Sequence, residues 1–222
     1  MQRYFSEETG LRVWIARFLL NAKRSQLLSM IDYSDQKNFL VADIGCNIGY
    51  LTKPMSLRAE TIGLDIDKSE LLYAKACYRE IEFVCCDICH LPLRNSSINL
   101  VVCTSVFEHI EKLFEAVKQV KLALKQDGKL VVGYPIETIL LESVVKAAWK
   151  SESHVWDQRS IATRENNIKD PHTHKQSFSE IRRMLKKDFS ILRKRKIPTK
   201  YLPDFLSVYE SVVLVRKAKA RA

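Results

Sequence analysis

Three carboxylates stand at the ends of three apolar runs. Asp43 follows Phe39-Leu-Val-Ala, Asp65 follows Thr61-Ile-Gly-Leu, and Asp87 follows Phe83-Val-Cys-Cys. Asp65 lies 22 residues after Asp43, where a carboxylate can accept from both hydroxyls of a ribose. Asp87 is placed to accept from an adenine amino group. Between the first two acids runs Asp43-Ile-Gly-Cys-Asn-Ile-Gly49, in which Gly45 and Gly49 allow a sharp backbone turn and a close ligand approach.

That loop does not read as a phosphate cradle. A dinucleotide fingerprint starting at Gly45 needs glycine where Asn47 and Tyr50 stand, and no G-x-x-x-x-G-K-[ST] stretch is present. The remaining pattern, an acid followed by G-x-x-x-G, suits a ligand without a pyrophosphate but with a cationic amino-acid part. One literal motif competes: Cys86-Asp-Ile-Cys89-His90 spells C-x-x-C-H, a haem-attachment pattern. Haem attachment requires export and an open loop, and no second ligand pair has zinc spacing. No metal is expected.

Alternating elements must position these acids. Leu11, Val13, Trp14, Ile15, Phe18, Leu19, Leu27, Leu28 and Ile31 form an apolar stripe at helical spacing, so a helix or helix pair precedes residue 32. Strands are then predicted at Phe39–Asp43, Thr61–Asp65, Ile81–Cys86, Asn99–Cys103 and Lys129–Tyr134. Helices are predicted over Lys68–Tyr78, capped by Asp67, and over about Ile110–Lys125, stopped by Gly128. Apolar strands separated by helices argue for a parallel sheet covered on both faces. After Pro135 come an amphipathic helix (Ile139 to Trp149), a histidine-containing stretch, and a helix at Ser177–Leu185. Closing strands at Phe189–Leu192 and Ser207–Val215 suit an antiparallel edge hairpin.

The bulk numbers narrow the setting. A chain of 222 residues with 46% apolar content can bury a core without a disulfide or metal staple. The six cysteines lack a secreted spacing, and no signal peptide or membrane-length run is visible, so the protein is expected to be cytoplasmic. The net charge of +10 arises wholly after residue 180, where 13 Lys/Arg face three acids. A nucleic acid or an anionic membrane surface is thus a conceivable partner for 182–200, but a solvated basic helix face and tail explain the charge as well. Nothing in the sequence points to an oligomeric state.

Over residues 36–135 the ordered motifs resemble the class I, Rossmann-like S-adenosylmethionine-dependent methyltransferases, in their small-molecule (type 11-like) branch. Val41–Tyr50 resembles the family's cofactor loop, Gly63–Asp67 its ribose motif, Asp87–Leu93 its adenine motif, Asn99–Ile110 its fourth-strand motif, and Leu124–Val132 the turn into strand five. Asn47 departs from a usual glycine and Asn99 from a common Asp; Asp127 stands in a turn that often carries two glycines. Asparagine tolerates a left-handed backbone, so the loop is retained.

The resemblance implies a three-layer α/β sandwich on a mostly parallel seven-stranded sheet with an antiparallel edge strand. Its parts would be a helical cap at 1–35, a cofactor core at 36–135, a substrate-side insert at 136–176, and a C-terminal helix and edge strands at 177–222. S-adenosyl-L-methionine would be held by Asp43, Gly45, Cys46, Asn47, Gly49, Asp65, Ile66, Asp87, Ile88, Cys103 and Thr104. Methyl transfer needs alignment above all, and a base only where the acceptor must lose a proton. Candidates for acceptor chemistry are Glu108, His109, Tyr134, His154, His172 and His174. The acceptor is expected to be a small molecule; a lipid or polyanion at a surface, or a non-catalytic cofactor-binding role, are the alternatives.

Overall fold

A computed structural model describes residues 11–33, 38–136, 174–197 and 209–217. Helix α1 (Leu11–Met30) is followed by β1 (Leu40–Ile44), α2 (Thr52–Ser56), β2 (Glu60–Asp65), α3 (Lys68–Cys77) and β3 (Glu82–Cys85). Then come β4 (Ile98–Thr104), α4 (Leu113–Ala123), β5 (Leu124–Pro135), α5 (Phe178–Asp188), β6 (Phe189–Ile197) and β7 (Tyr209–Arg216). The seven strands form one sheet in the order β3-β2-β1-β4-β5-β7-β6. The first five are parallel, and β7 runs antiparallel between β5 and β6.

The strand period of two sorts the central residues onto two buried faces. Ala42, Ile44, Val101, Cys103, Leu130, Val132, Val212 and Leu214 pack with α4 and α5, through Val117, Val120, Ile181 and Leu185. Val41, Leu100, Val102, Val131 and Val213 pack on the other side with Leu27, Met30 and Ile31 of α1 and Met55 of α2. Both faces are covered, which is why β4 and β5 read as continuous apolar runs.

Several expected boundaries move. The fourth helix starts at Leu113, because Phe107–His109 first forms a separate 3-10 turn. Gly128 does not stop that helix: the chain leaves it at Ala123 and is already extended from Leu124. The pairs Ile98–Leu124 and Leu100–Lys129 set five steps along β5 against two along β4, a bulge that absorbs the extra residues. Strand β6 runs on to Ile197 rather than ending at Leu192, so the basic run is split between α5 and this edge strand. Charge on an edge strand is a common guard against edge-to-edge pairing. The expected helix at 139–149, with His154 and His172, lies outside the described residues.

Helix α1 is held across the chain's two ends. Gln26 donates to Lys196 O at 3.0 Å and accepts from Ser211 Oγ at 2.9 Å; Arg193 donates to Met30 O at 3.1 Å and Arg195 to Ser29 Oγ at 3.0 Å. The helix thereby lies over β6 and β7, with one end above the sheet's carboxyl edge. Among the described residues no helix is long and apolar enough to cross a membrane.

Candidate functional site

Strands β2 and β4 flank β1 on opposite sides, and the chain order reverses between β1 and β4. Ligands of open α/β sheets sit outside the strand carboxyl ends at such a reversal. An open cleft with about 520 Å³ of empty space lies there, lined by Lys23, Arg24, Leu27, Asp43, Gly45, Cys46, Asn47, Tyr50, Leu51 and Thr104.

The loop after β1 is wound by left-handed residues: Gly45 has φ +72°, Asn47 +50° and Gly49 +79°. A Cβ on Gly45 would lie 2.1 Å from Val106 Cγ2, so this position requires glycine for space as well as for backbone. Asn47 steadies its own conformation: its Oδ1 accepts from Ile48 N–H at 2.8 Å. Gly45 and Cys46 N–H both donate to Leu64 O, at 2.7 and 3.1 Å, stapling the loop to β2.

Asp43 is 2% exposed, and Thr52 Oγ1 donates to its Oδ2 at 2.6 Å. Burial pushes its carboxyl up to about 7; the Thr52 hydrogen bond resists this, and the Asp65 charge adds to it. Asp65 ends β2, with Oδ2 accepting from Asn47 N–H at 2.7 Å and Oδ1 from Asp67 N–H at 3.0 Å. The carboxylate is thus aimed by two backbone amides. Ile66 beside it is 72% exposed, an apolar side chain with no cover. Asp87, also exposed, caps the 3-10 turn Ile88–His90, accepting from Cys89 N–H at 2.8 Å. Ile88 is buried behind it.

The expected cofactor residues are therefore gathered along the ends of β1, β2, β3 and β4. Asp43, Gly45, Cys46, Asn47 and Thr104 line the cleft itself. Asp65, Ile66 and Asp87 continue outward along the same edge. Gly49 is buried, and its N–H donates to Cys46 O at 2.9 Å, closing the loop. Cys103 is wholly buried in the core beneath β4. Burial pushes both the Cys46 and the Cys103 thiols up, so each is an apolar filler and not a nucleophile.

The acceptor-side candidates divide. Tyr134 is 1% exposed, donates to Glu210 Oε1 at 2.9 Å, and packs edge-on against Phe178; it belongs to the core and not to the cleft mouth. Glu108 and His109 form the 3-10 turn after β4 and meet His174 there. Burial pushes the Glu108 carboxyl up to about 7, which the Lys23 ammonium and the Ser105 hydroxyl offset only in part.

Sequence reasoning missed the cleft's upper wall. Lys23 Nζ donates to Ser105 Oγ at 2.7 Å and lies 4.2 Å from the Tyr209 ring centroid. Arg24 stacks on Tyr50 at 4.4 Å, and Tyr50 Oη donates to Asn21 Oδ1 at 2.9 Å. The only signal for this wall was Leu27 in the apolar stripe, which marks α1 as packed without saying on what.

With this geometry in hand, comparison with known proteins gives consistent answers. Residues 42–132 match the family model described as a methyltransferase domain. An uncharacterized protein of Methanocaldococcus jannaschii is 38% identical over 103 residues, covering 45% of this chain and 42% of its own length. The malonyl-[acyl-carrier protein] O-methyltransferase of Acetivibrio thermocellus is 33% identical over 109 residues, 47% of this chain and 38% of that protein. The chain thus spans less than half the length of these curated relatives. Magnesium protoporphyrin IX methyltransferase from Synechocystis, solved with bound SAH, shares the fold at a TM-score of 0.63 and 17% identity, over 97% of this chain and 92% of that one. Over residues 42–132 the chain is thus similar to a methyltransferase domain, and it has the fold of a methyltransferase solved with SAH.

Proposed function

We propose that the protein transfers a methyl group from S-adenosyl-L-methionine to a small-molecule acceptor. The observation that carries this reading is Asp65, a carboxylate fixed by Asn47 and Asp67 N–H at the carboxyl end of β2, beside an apolar Ile66 that has nothing covering it. That pair suits a ribose diol and an adenine face. Asp87 takes the adenine edge, with Ile88 behind it. The Gly45–Gly49 loop and Asp43 receive the amino-acid part, and Thr104 forms the floor, with Cys103 packed in the core behind it. The segment 136–176, which joins β5 to α5, is assigned the acceptor side.

Two observations favour a small molecule over a surface-bound polyanion. Arg193 pairs with Asp32, and Lys194 with Glu210 at 2.9 Å, so these cations of the basic run are engaged within the protein. Arg195 is likewise tied to Ser29 of α1. All six cysteines are free thiols, which supports a reducing, cytoplasmic setting.

Calorimetry with S-adenosylmethionine and S-adenosylhomocysteine tests the cofactor assignment. Wild type binds both, and Asp65→Ala weakens binding by about 10–100-fold, the loss expected when a charged hydrogen-bond acceptor is removed. Absence of wild-type binding, or equal affinity in the variant, overturns the reading. Release of S-adenosylhomocysteine across a panel of acceptors then separates an enzyme from a cofactor-binding partner protein.

A further inference from the structure

Beside the cleft, three ligating side chains converge that the cofactor reading leaves unused. Glu108 and His109 come from the 3-10 turn after β4, and His174 comes from the segment just before α5. Each offers one ligand atom, and the three atoms lie within 4.8 Å of one another. The two imidazoles meet edge to face with centroids 5.2 Å apart.

Backbone contacts build this convergence. Glu108 O accepts from Lys175 and Gln176 N–H at 2.7 and 3.1 Å, and the Gln176 side-chain amide donates to Ile110 O at 3.1 Å. Lys175 Nζ pairs with Glu111 at 2.7 Å on the outer side. Two stretches 65 residues apart are thereby laced together with their ligand atoms facing inward.

Glu108 supplies an independent observation. The residue is 2% exposed, yet its Oε2 has no hydrogen-bond partner among the described residues. A buried carboxylate oxygen left without a donor is unfavourable, and native structures seldom keep one without a reason. A cation would supply what no donor does. One carboxylate and two imidazoles form a mixed set that suits first-row transition cations, whereas calcium and magnesium favour all-oxygen shells.

We propose that Glu108, His109 and His174 bind one divalent transition-metal cation, of the Zn²⁺ or Mn²⁺ kind, next to the methyl-transfer cleft. Three protein ligands leave at least one coordination position open to water or to an oxygen of another molecule. The site stands on its own ligands and does not depend on the cofactor assignment.

The test titrates the chelator-treated full chain with Co²⁺, followed by visible d–d absorption. One equivalent binds, without a thiolate-to-cobalt charge-transfer band, and Zn²⁺ displaces it. Glu108→Gln and His174→Ala each weaken the affinity by at least roughly 10–100-fold, the range lost even on removing an outer-shell partner. His174 is exposed, so the metal-free thermal midpoint of His174→Ala stays at the wild-type value and reports an intact fold. No cobalt band in wild type, a thiolate band pointing to Cys86 and Cys89, or unchanged affinity in His174→Ala would each overturn the site.

Discussion

At the scale of single residues, Gly45 is the most constrained position in the cleft. Any side chain there meets a positive φ, which costs on the order of 1–2 kcal/mol, and also Val106 Cγ2 at 2.1 Å. Gly45→Ala is expected to destabilise by about 2–5 kcal/mol in urea unfolding, since overpacking adds about 1–3 kcal/mol. In a Val106→Ala background the steric part disappears and only the backbone part, about 1–2 kcal/mol, remains. A double-mutant cycle measures the difference, and additive effects would refute the contact.

Asp43 makes a pH prediction at the same scale. Its folded carboxyl titrates near 7, against about 3.9 in an unfolded chain. The native apo protein therefore keeps a proton that the unfolded chain has lost. This contribution to stability is complete below about pH 4 and is lost as pH rises to about 7. A cationic ligand reverses the preference, because it favours the carboxylate. Cofactor affinity should then rise about tenfold per unit up to pH 7 and level off above it. Calorimetry at pH 6, 7 and 8 checks this, and Asp43→Asn should flatten the slope. Glu108, raised in the same way, contributes to apo stability with the same sign.

The acids at the ends of β1, β2 and β3 were legible because each follows an apolar strand run directly and so falls on the sheet's ligand edge. Tyr134 was not. It also follows an apolar run, but a buried Glu210 on β7 captures its hydroxyl, a pairing that spans 76 residues.

At the scale of elements, α5 starts with a capping box: Ser177 Oγ accepts from Glu180 N–H at 3.3 Å, and Glu180 Oε2 accepts from Ser177 N–H at 2.9 Å. Ser177→Ala should cost about 1 kcal/mol in denaturant unfolding, the usual value of an N-cap. Its second effect falls on the preceding residues, since Lys175 and Gln176 hold Glu108 through backbone bonds. Hydrogen exchange at these two amides should quicken in the variant more than at α4; equal protection would separate the cap from the Glu108 turn. Helix α5 was readable from the serines at 177 and 179 that could cap it, and Ser177 takes that role. The length of β6 was not, because Arg193–Lys196 carry no apolar alternation and extend the strand only through pairing with β7. Nor was the early start of β5, where the bulge opposite β4 draws Leu124–Gly128 into the sheet.

At the scale of the whole molecule, the cleft is walled by a helix, α1, that is bonded to strands far along the chain. A ligand at about 100 times its Kd stabilises by about 2.7 kcal/mol, which raises the thermal midpoint by about 5–10 °C for a chain of this size. S-adenosylhomocysteine should produce that shift in wild type, and a smaller one in Asp65→Ala at the same concentration. An unshifted wild type would argue that the cleft does not take this ligand. The seven-stranded architecture was visible in the alternation of strand and helix signals. The seat of α1 was hidden, because it rests on contacts separated by 163 to 185 residues, which no local pattern encodes.

That long-range clasp has a consequence for biosynthesis. Helix α1 is made before all seven strands, but the part of its seat that β6 and β7 provide follows only after β1 to β5. Strands β1, β4 and β5 can already receive Leu27 and Met30 while translation continues, but Gln26, Ser29 and Met30 then lack their polar partners on β6 and β7. A nascent chain halted before Phe189 holds the loop, its acids and an apolar seat for α1, yet none of the hydrogen bonds that tie the helix to β6 and β7. The cleft's wall is therefore fastened late, when β6 and β7 emerge and clasp a helix made well before them.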